Sequence, residues 1–212
     1  MSDAPTSMVV RDLGTVPYAD ALALQQRLVD ERIADLIPDT LLLLEHPPVI
    51  TLGRRRGAAG NVVAAGDTPV VELERGGDAT WHGPGQLVGY PIFKLAERER
   101  DLHRVLRRLE DAAIEVLAAL GLPGERKAGH TGVFVRDRKL VSFGVAVRGW
   151  VTYHGFAINV EPDLSQFTRI NPCGLEARVM GSVASLGGRV PPRDELLAIA
   201  SRAVARAFER DA

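Results

Sequence analysis

The sequence predicts an α+β (mixed α/β) fold: a mixed, largely antiparallel sheet flanked by helices. Three observations carry that reading. Two segments in the first 120 residues and one at the C-terminal end repeat apolar residues at helical spacing. Short runs rich in β-branched residues cluster between the first two helices instead of alternating with helices one by one. Residues 131–160 then read as an antiparallel meander joined by tight turns.

The elements follow in order. Residues 17–36, PYADALALQQRLVDERIADL, predict a helix with Pro17 in its first turn and Pro38 just past its end. TLLLLE (40–45), VITLG (49–53) and PVVELE (69–74) predict strands, and QLVGYPIF (86–93) a further buried one. Residues 101–120 form a second amphipathic helix whose core face runs from Leu102, Val105, Leu106 and Leu109 to Val116, Leu117 and Leu120; Gly121 stops it. In the meander, TGVFVR turns at Asp137–Arg138 into KLVSFGVAV, which turns at Arg148–Gly149 into VTYHGFAINV. PDLSQF (162–167) reads as a short capped helical turn, and residues 193–210 as the last helix. With no linker or repeat, the 212 residues are expected to form one catalytic domain over 1–212, with residues 1–7 flexible.

Composition narrows the function. A net charge of −1 and 25% charged residues ask for neither nucleic acid nor an anionic membrane surface. The longest clean apolar run, Leu41–Leu44, is too short to span a bilayer. The start, MSDAPTSMVV, has neither the basic nor the apolar region of a secretory leader. One cysteine forms no intramolecular disulfide, so a cytoplasmic setting is expected. No histidine pair has HxxxH or HExxH spacing, and no metal or cofactor is expected.

Three features are candidates for chemistry. Cys173 is the only cysteine and sits in INPCGLE. A lone cysteine often serves as a small buried hydrophobe. A rigid Pro-Cys-Gly loop instead presents sulfur, with backbone N–H groups nearby for an oxyanion. The second feature is ERGGDATWHGPGQL (74–87), in which glycines let backbone approach a ligand and Arg75, Thr80 and His82 supply polar groups; it is either a binding loop or a turn-rich connection. Lys139 is the third. The chain has 26 basic residues, of which only Lys94, Lys127 and Lys139 are lysine. Arginine keeps its proton at usable pH and lysine can give it up, so each lysine is worth weighing. Lys139 opens a strand above an apolar face, where desolvation lowers an amine pKa; a solvent-facing strand end is the alternative. His82 or His154 remains open as a base for the cysteine. His103 reads as a surface residue, and His46 as a turn residue.

Taken together, LLEHPPVITLGR, RGGDATWHGPGQLVGYPI, KLVSFGVAV, VTYHGFAINV and INPCGLE resemble the lipoyl(octanoyl) transferases, in order from about Leu42 to about Leu186. The resemblance implies the fold shared with biotin and lipoate protein ligases. It implies an acyltransferase that moves an octanoyl group from octanoyl-acyl carrier protein to a lysine of a lipoyl domain, in lipoate biosynthesis. Acceptors would be the lipoyl domains of 2-oxoacid dehydrogenase complexes or the glycine cleavage H protein. Cys173 would carry the thioester, with Lys139 beside it. Substrate contacts map to Arg75, Gly76, Gly77 and Asp78, and onward to Ala79, Thr80, Trp81 and His82. They map also to Ser142, Phe143 and Gly144, and to Gly155, Phe156 and Ala157, with His154 bordering the pocket. Trp81 stands where the family more often has tyrosine or phenylalanine. The alternatives are an ATP-dependent lipoate or biotin ligase, with the arginines of GRRRGAAGN holding phosphate, and a non-catalytic relative that binds an acyl chain or carrier protein.

Overall fold

The computed structural model describes residues 6–55, 57–171 and 177–211. Cys173 lies outside the described residues. Those residues form strands β1 (Thr6–Thr15), β2 (Asp39–Glu45), β3 (Val49–Leu52), β4 (Val70–Glu72) and β5 (Thr80–His82). β6 (Gln86–Ile92), β7 (Val133–Val135), β8 (Arg138–Arg148), β9 (Val151–Asn159) and β10 (Arg210–Asp211) follow. The helices are α1 (Tyr18–Ile33), α2 (Leu102–Ala119) and α3 (Arg193–Phe208). None of these described helices is long and apolar enough to cross a membrane.

Seven strands make one sheet in the order β10-β1-β2-β6-β9-β8-β7, antiparallel except for the two pairings of β1. Its central strands are apolar on both faces, as a sheet covered on both sides requires. Leu42, Leu44, Val88, Tyr90 and Ala157 pack with α1. Leu41, Leu43, Leu87, Phe156 and Ile158 pack on the other side with α2 and α3. A second sheet, β4-β3-β5, has its own core, where Ile50, Leu52 and Trp81 meet Phe167 and Ile170.

Several boundaries differ from the sequence reading. Thr6 and Ser7, expected in a flexible start, pair with Arg210 and Asp211 from the opposite end of the chain. Arg210 is held there by Asp39, whose fully buried carboxylate accepts its Nε at 2.8 Å. Both meander turns shift by one residue. Val135 pairs with Arg138 and Arg148 with Val151, so the two-residue turns are Arg136–Asp137 and Gly149–Trp150. Two-residue hairpins favour positive φ, which Arg136 (50°), Gly149 (56°) and Trp150 (61°) adopt. Thr80–His82, read as loop, is a strand because Val49–Thr51 pairs with it. Leu102, assigned to the core face of α2, is exposed.

Candidate active site

Between the glycine-rich loop and strands β8 and β9 lies a cavity of about 430 Å³. Its floor on the α1 side of the sheet is made of small residues: Ser142 pairs with Ala157 and Gly144 with Gly155. The loop from Arg75 to Thr80 roofs it. Glycine is needed where these layers meet. A Cβ on Gly144 would lie 2.8 Å from Arg75 Cδ, and one on Gly155 would overlap the carbonyl oxygen of Gly89.

The roof is held by backbone pairing and by Arg75. The N–H groups of Gly53, Arg54 and Arg55 donate to the carbonyls of Asp78, Arg75 and Gly77. Gly76 N–H donates to Val145 O at 3.2 Å. The buried guanidinium of Arg75 donates from Nη2 to Thr51 O, Thr51 Oγ1 and Asp78 O, at 3.0, 2.8 and 2.9 Å. Arg75 thus ties the loop to β3. Asp78 is buried, accepts from Asn61 Nδ2 and from Ala79 N–H, and faces Arg55 at 3.4 Å.

Lys139 lines the cavity and is only 3% exposed, so it is not a solvent-facing strand end. Its aliphatic stem packs on Gly132, where a Cβ would lie 2.6 Å from Cε. Its backbone pairs in parallel with Met180, and its carbonyl accepts from Gly181 N–H at 3.0 Å.

At the inner end, His82, His154, Tyr18 and Tyr90 line the cavity, with His46 beside them. Ring protons follow from the partners. Gly181 O accepts from Asn159 Nδ2, Asn159 Oδ1 accepts from Gln86 Nε2, and Gln86 Oε1 therefore accepts from His82 Nδ1–H at 3.1 Å. On the far side His46 Nδ1–H donates to Val16 O at 2.7 Å, which leaves Nε2 to accept the Tyr90 hydroxyl at 2.7 Å. His46 is therefore a buried hydrogen-bonding residue, not a turn residue. Burial holds all three histidines neutral: His46 is lowered, His154 is brought down to about 4, and His82 to about 3 with help from His46 and Arg75. Burial also raises Tyr18 to about 12 and lifts Tyr90 well above its ordinary value.

The expected contact residues thus gather around one cavity, with two exceptions. Cys173 lies outside the described residues. Trp81 points to the opposite side, against Phe167 in the core of the small sheet, because alternation along β5 turns it away from its neighbours Thr80 and His82. Sequence reasoning missed Tyr18, Arg55, Tyr90, His130 and Val145, and His103 and Leu106 on α2. The helical spacing places Leu106 on the core face of α2. An aromatic residue in the first turn of a helix face made otherwise of Ala21, Gln25, Leu28 and Val29 is the one local signal that points to Tyr18.

The architecture matches solved structures at identities too low to show more than the fold. The putative lipoate protein ligase Ta0514 of T. acidophilum, with bound lipoic acid, superposes with a TM-score of 0.72 at 16% identity, over 98% of this chain and 88% of that one. Biotin protein ligase from Aquifex aeolicus gives 0.55 at 13%, over 96% and 69%. The fold is therefore that of the biotin and lipoate protein ligase class. The family model "Lipoyl protein ligase A/B catalytic domain" matches residues 17–205, and the octanoyltransferase of Geobacter metallireducens is 50% identical over 196 residues, 92% of this chain and 91% of that one. The chain belongs to this family and, within it, to the octanoyltransferases, which are enzymes.

Proposed function

We propose that this octanoyltransferase works in the cytoplasm through a thioester on Cys173, with Lys139 as its proton carrier. The donor is octanoyl-acyl carrier protein. The acceptor is a lysine of a lipoyl domain, in a 2-oxoacid dehydrogenase complex or the glycine cleavage H protein. The observation that carries the reading is the pairing of Lys139 with Met180, seven residues beyond Cys173, at the wall of the acyl-sized cavity.

In this reaction the amine of Lys139 takes the Cys173 thiol proton. The thiolate attacks the donor carbonyl, the carrier's thiolate leaves, and the Lys139 ammonium returns the proton to it. The exchange of one thioester for another is nearly isoenergetic and uses no ATP. The acceptor lysine, as a free amine, then attacks the Cys173 thioester. Its N–H proton passes to Lys139, the cysteine thiolate leaves, and an amide remains. The neutral histidines support this assignment: with pKa values of about 3 and about 4, His82 and His154 are poor carriers of a proton at neutral pH. Of the arginines invoked for a ligase, Arg55 faces Asp78.

The test is intact-mass spectrometry after incubation with octanoyl-acyl carrier protein and no ATP. Wild-type protein should gain one octanoyl group, removable by hydroxylamine, and Cys173→Ser should gain none that hydroxylamine removes. Normal transfer to a lipoyl domain by Cys173→Ser would remove the thiol from the mechanism.

A further inference from the structure

The inner end of the cavity is polar, although an alkyl chain has nothing polar to offer it. His154 is the member held there at a backbone cost. It lies in β9, where strict alternation would put it with Phe156 and Ile158 on the α2–α3 side of the sheet. Its φ is +56°, a left-handed conformation that strains a non-glycine residue inside a strand. The twist brings its ring to the α1 side, where Nδ1 meets the Tyr18 hydroxyl at 3.4 Å and the ring lies edge-on to Tyr90.

Pro91 helps make the twist possible. The β6–β9 ladder runs as far as Gly89↔Phe156 and the pairing resumes where Thr152 N–H donates to Phe93 O and Lys94 pairs with Val151; Pro91 and His154 stand opposite each other in the gap. Proline has no N–H to give β9 at that point. The N–H of His154 turns instead to Gln25 Oε1 on α1, at 2.7 Å. The ring is 2% exposed and faces the cavity.

The position suits a limit on length. Lys139, and Val145 with its partner His154, line the cavity six residues apart along β8. Six residues of strand separate those backbones by roughly 20 Å. Side chains reaching inward from both ends shorten the clear path to the order of a medium-length acyl chain. Phe143, Phe156 and Ala157 border the cavity between the two ends.

We propose that His154, braced by Tyr18, is the end stop of the acyl tunnel and sets the upper limit of acyl chain length. A longer chain must part hydrogen-bonded polar groups to go on, and loses there what each methylene gains on apolar surface, roughly fourfold in affinity. The inference rests on the acyl-transfer reading and names a specificity-determining residue for it.

The experiment is a length series. Hexanoyl-, octanoyl-, decanoyl- and dodecanoyl-acyl carrier protein are offered to wild type, His154→Gly and Tyr18→Phe, and acyl-enzyme formation is timed by mass spectrometry. Glycine accepts the left-handed backbone and removes the ring. The expected result is a rise of about tenfold or more in the decanoyl-to-octanoyl ratio for His154→Gly, and a smaller rise for Tyr18→Phe, which keeps the bulk and loses the hydroxyl. A wild-type ratio in folded His154→Gly overturns the end stop. If His154→Gly does not fold, an unchanged ratio in Tyr18→Phe overturns it. Displacement of a fluorescent fatty acid by the free C8, C10 and C12 acids, in the Cys173→Ala background, reads the same ratio without chemistry. A shifted binding ratio with no acyl-enzyme from any donor would sink the transfer reading and leave the end stop standing.

Discussion

Gly132 packs directly against Lys139: a Cβ at Gly132 would lie 2.6 Å from the lysine Cε and 2.9 Å from the carbonyl oxygen of Val141. Its φ of +148° is also one that side-chain-bearing residues rarely adopt. The stem of the lysine is therefore aimed by a glycine seven residues upstream.

Gly132→Ala should move the Lys139 amine while leaving the fold in place. Expected are a loss of about 1–3 kcal/mol of stability, the usual range for overpacking, and a fall in transfer rate of at least about tenfold. Urea unfolding and single-turnover transfer check the two effects separately. Wild-type transfer in Gly132→Ala would show that the lysine does not depend on this contact.

Lys139→Arg and Lys139→Ala separate charge from proton transfer. Arginine keeps the cation and cannot accept a proton. Lys139→Arg is expected to retain part of the thiol's reactivity toward iodoacetamide and to lose acyl transfer; Lys139→Ala is expected to lose both. Near-normal transfer by Lys139→Arg would end the lysine assignment.

Gly76 and Gly77 should respond differently to alanine. A Cβ on Gly76 meets nothing closer than Val145 O at 3.7 Å, whereas Gly77 has φ +94° and its Cβ would sit 3.2 Å from Arg75 Nη1. Gly76→Ala should melt within a degree or two of wild type. Gly77→Ala should lose about 1–2 kcal/mol, the cost of a left-handed backbone with a Cβ. Equal thermal shifts for the two would contradict the loop conformation.

Stability should fall as pH falls from about 6.5 toward 4. The folded pKa values of His154 and His82, about 4 and about 3, lie below the unfolded value of 6.5. In that window the unfolded chain binds more protons, so unfolding free energy rises with pH. Each histidine contributes a slope of up to about 1.4 kcal/mol per pH unit. Urea unfolding at pH 7, 6, 5 and 4.5 measures it, and His154→Gln should flatten the profile. A slope unchanged in that variant would mean the ring is protonated in the folded state.

Much of the site was legible because its signals are local. Glycines cluster where backbone must pass close to backbone, and the loop 75–80 roofs the cavity. Alternation along KLVSFGVAV and VTYHGFAINV gave β8 and β9, and their pairing brings Ser142–Gly144 against Gly155–Ala157. The scarcity of lysine drew attention to Lys139, which lines the cavity. Trp81 shows the limit of such reading. A contiguous motif was assigned to one surface, but a three-residue strand sends its middle side chain to the other.

By itself the sequence determined where helices and strands form, the residues of the glycine-rich roof, and the family to which its motifs belong. These depend on neighbours two to four positions apart, whose spacing is visible along the chain. Only the tertiary structure decided what closes the cavity. Tyr18 meets His154 across 136 residues, and Tyr90 meets His46 across 44. It also decided that Thr6 and Ser7 are the start of β1, since their partners, Arg210 and Asp211 in the edge strand β10, are the last described residues of the chain. His154 combines both lessons. Alternation assigns its side chain to one face of the sheet, and a proline on the neighbouring strand, with a glutamine on α1 to receive its N–H, allows it to occupy the other.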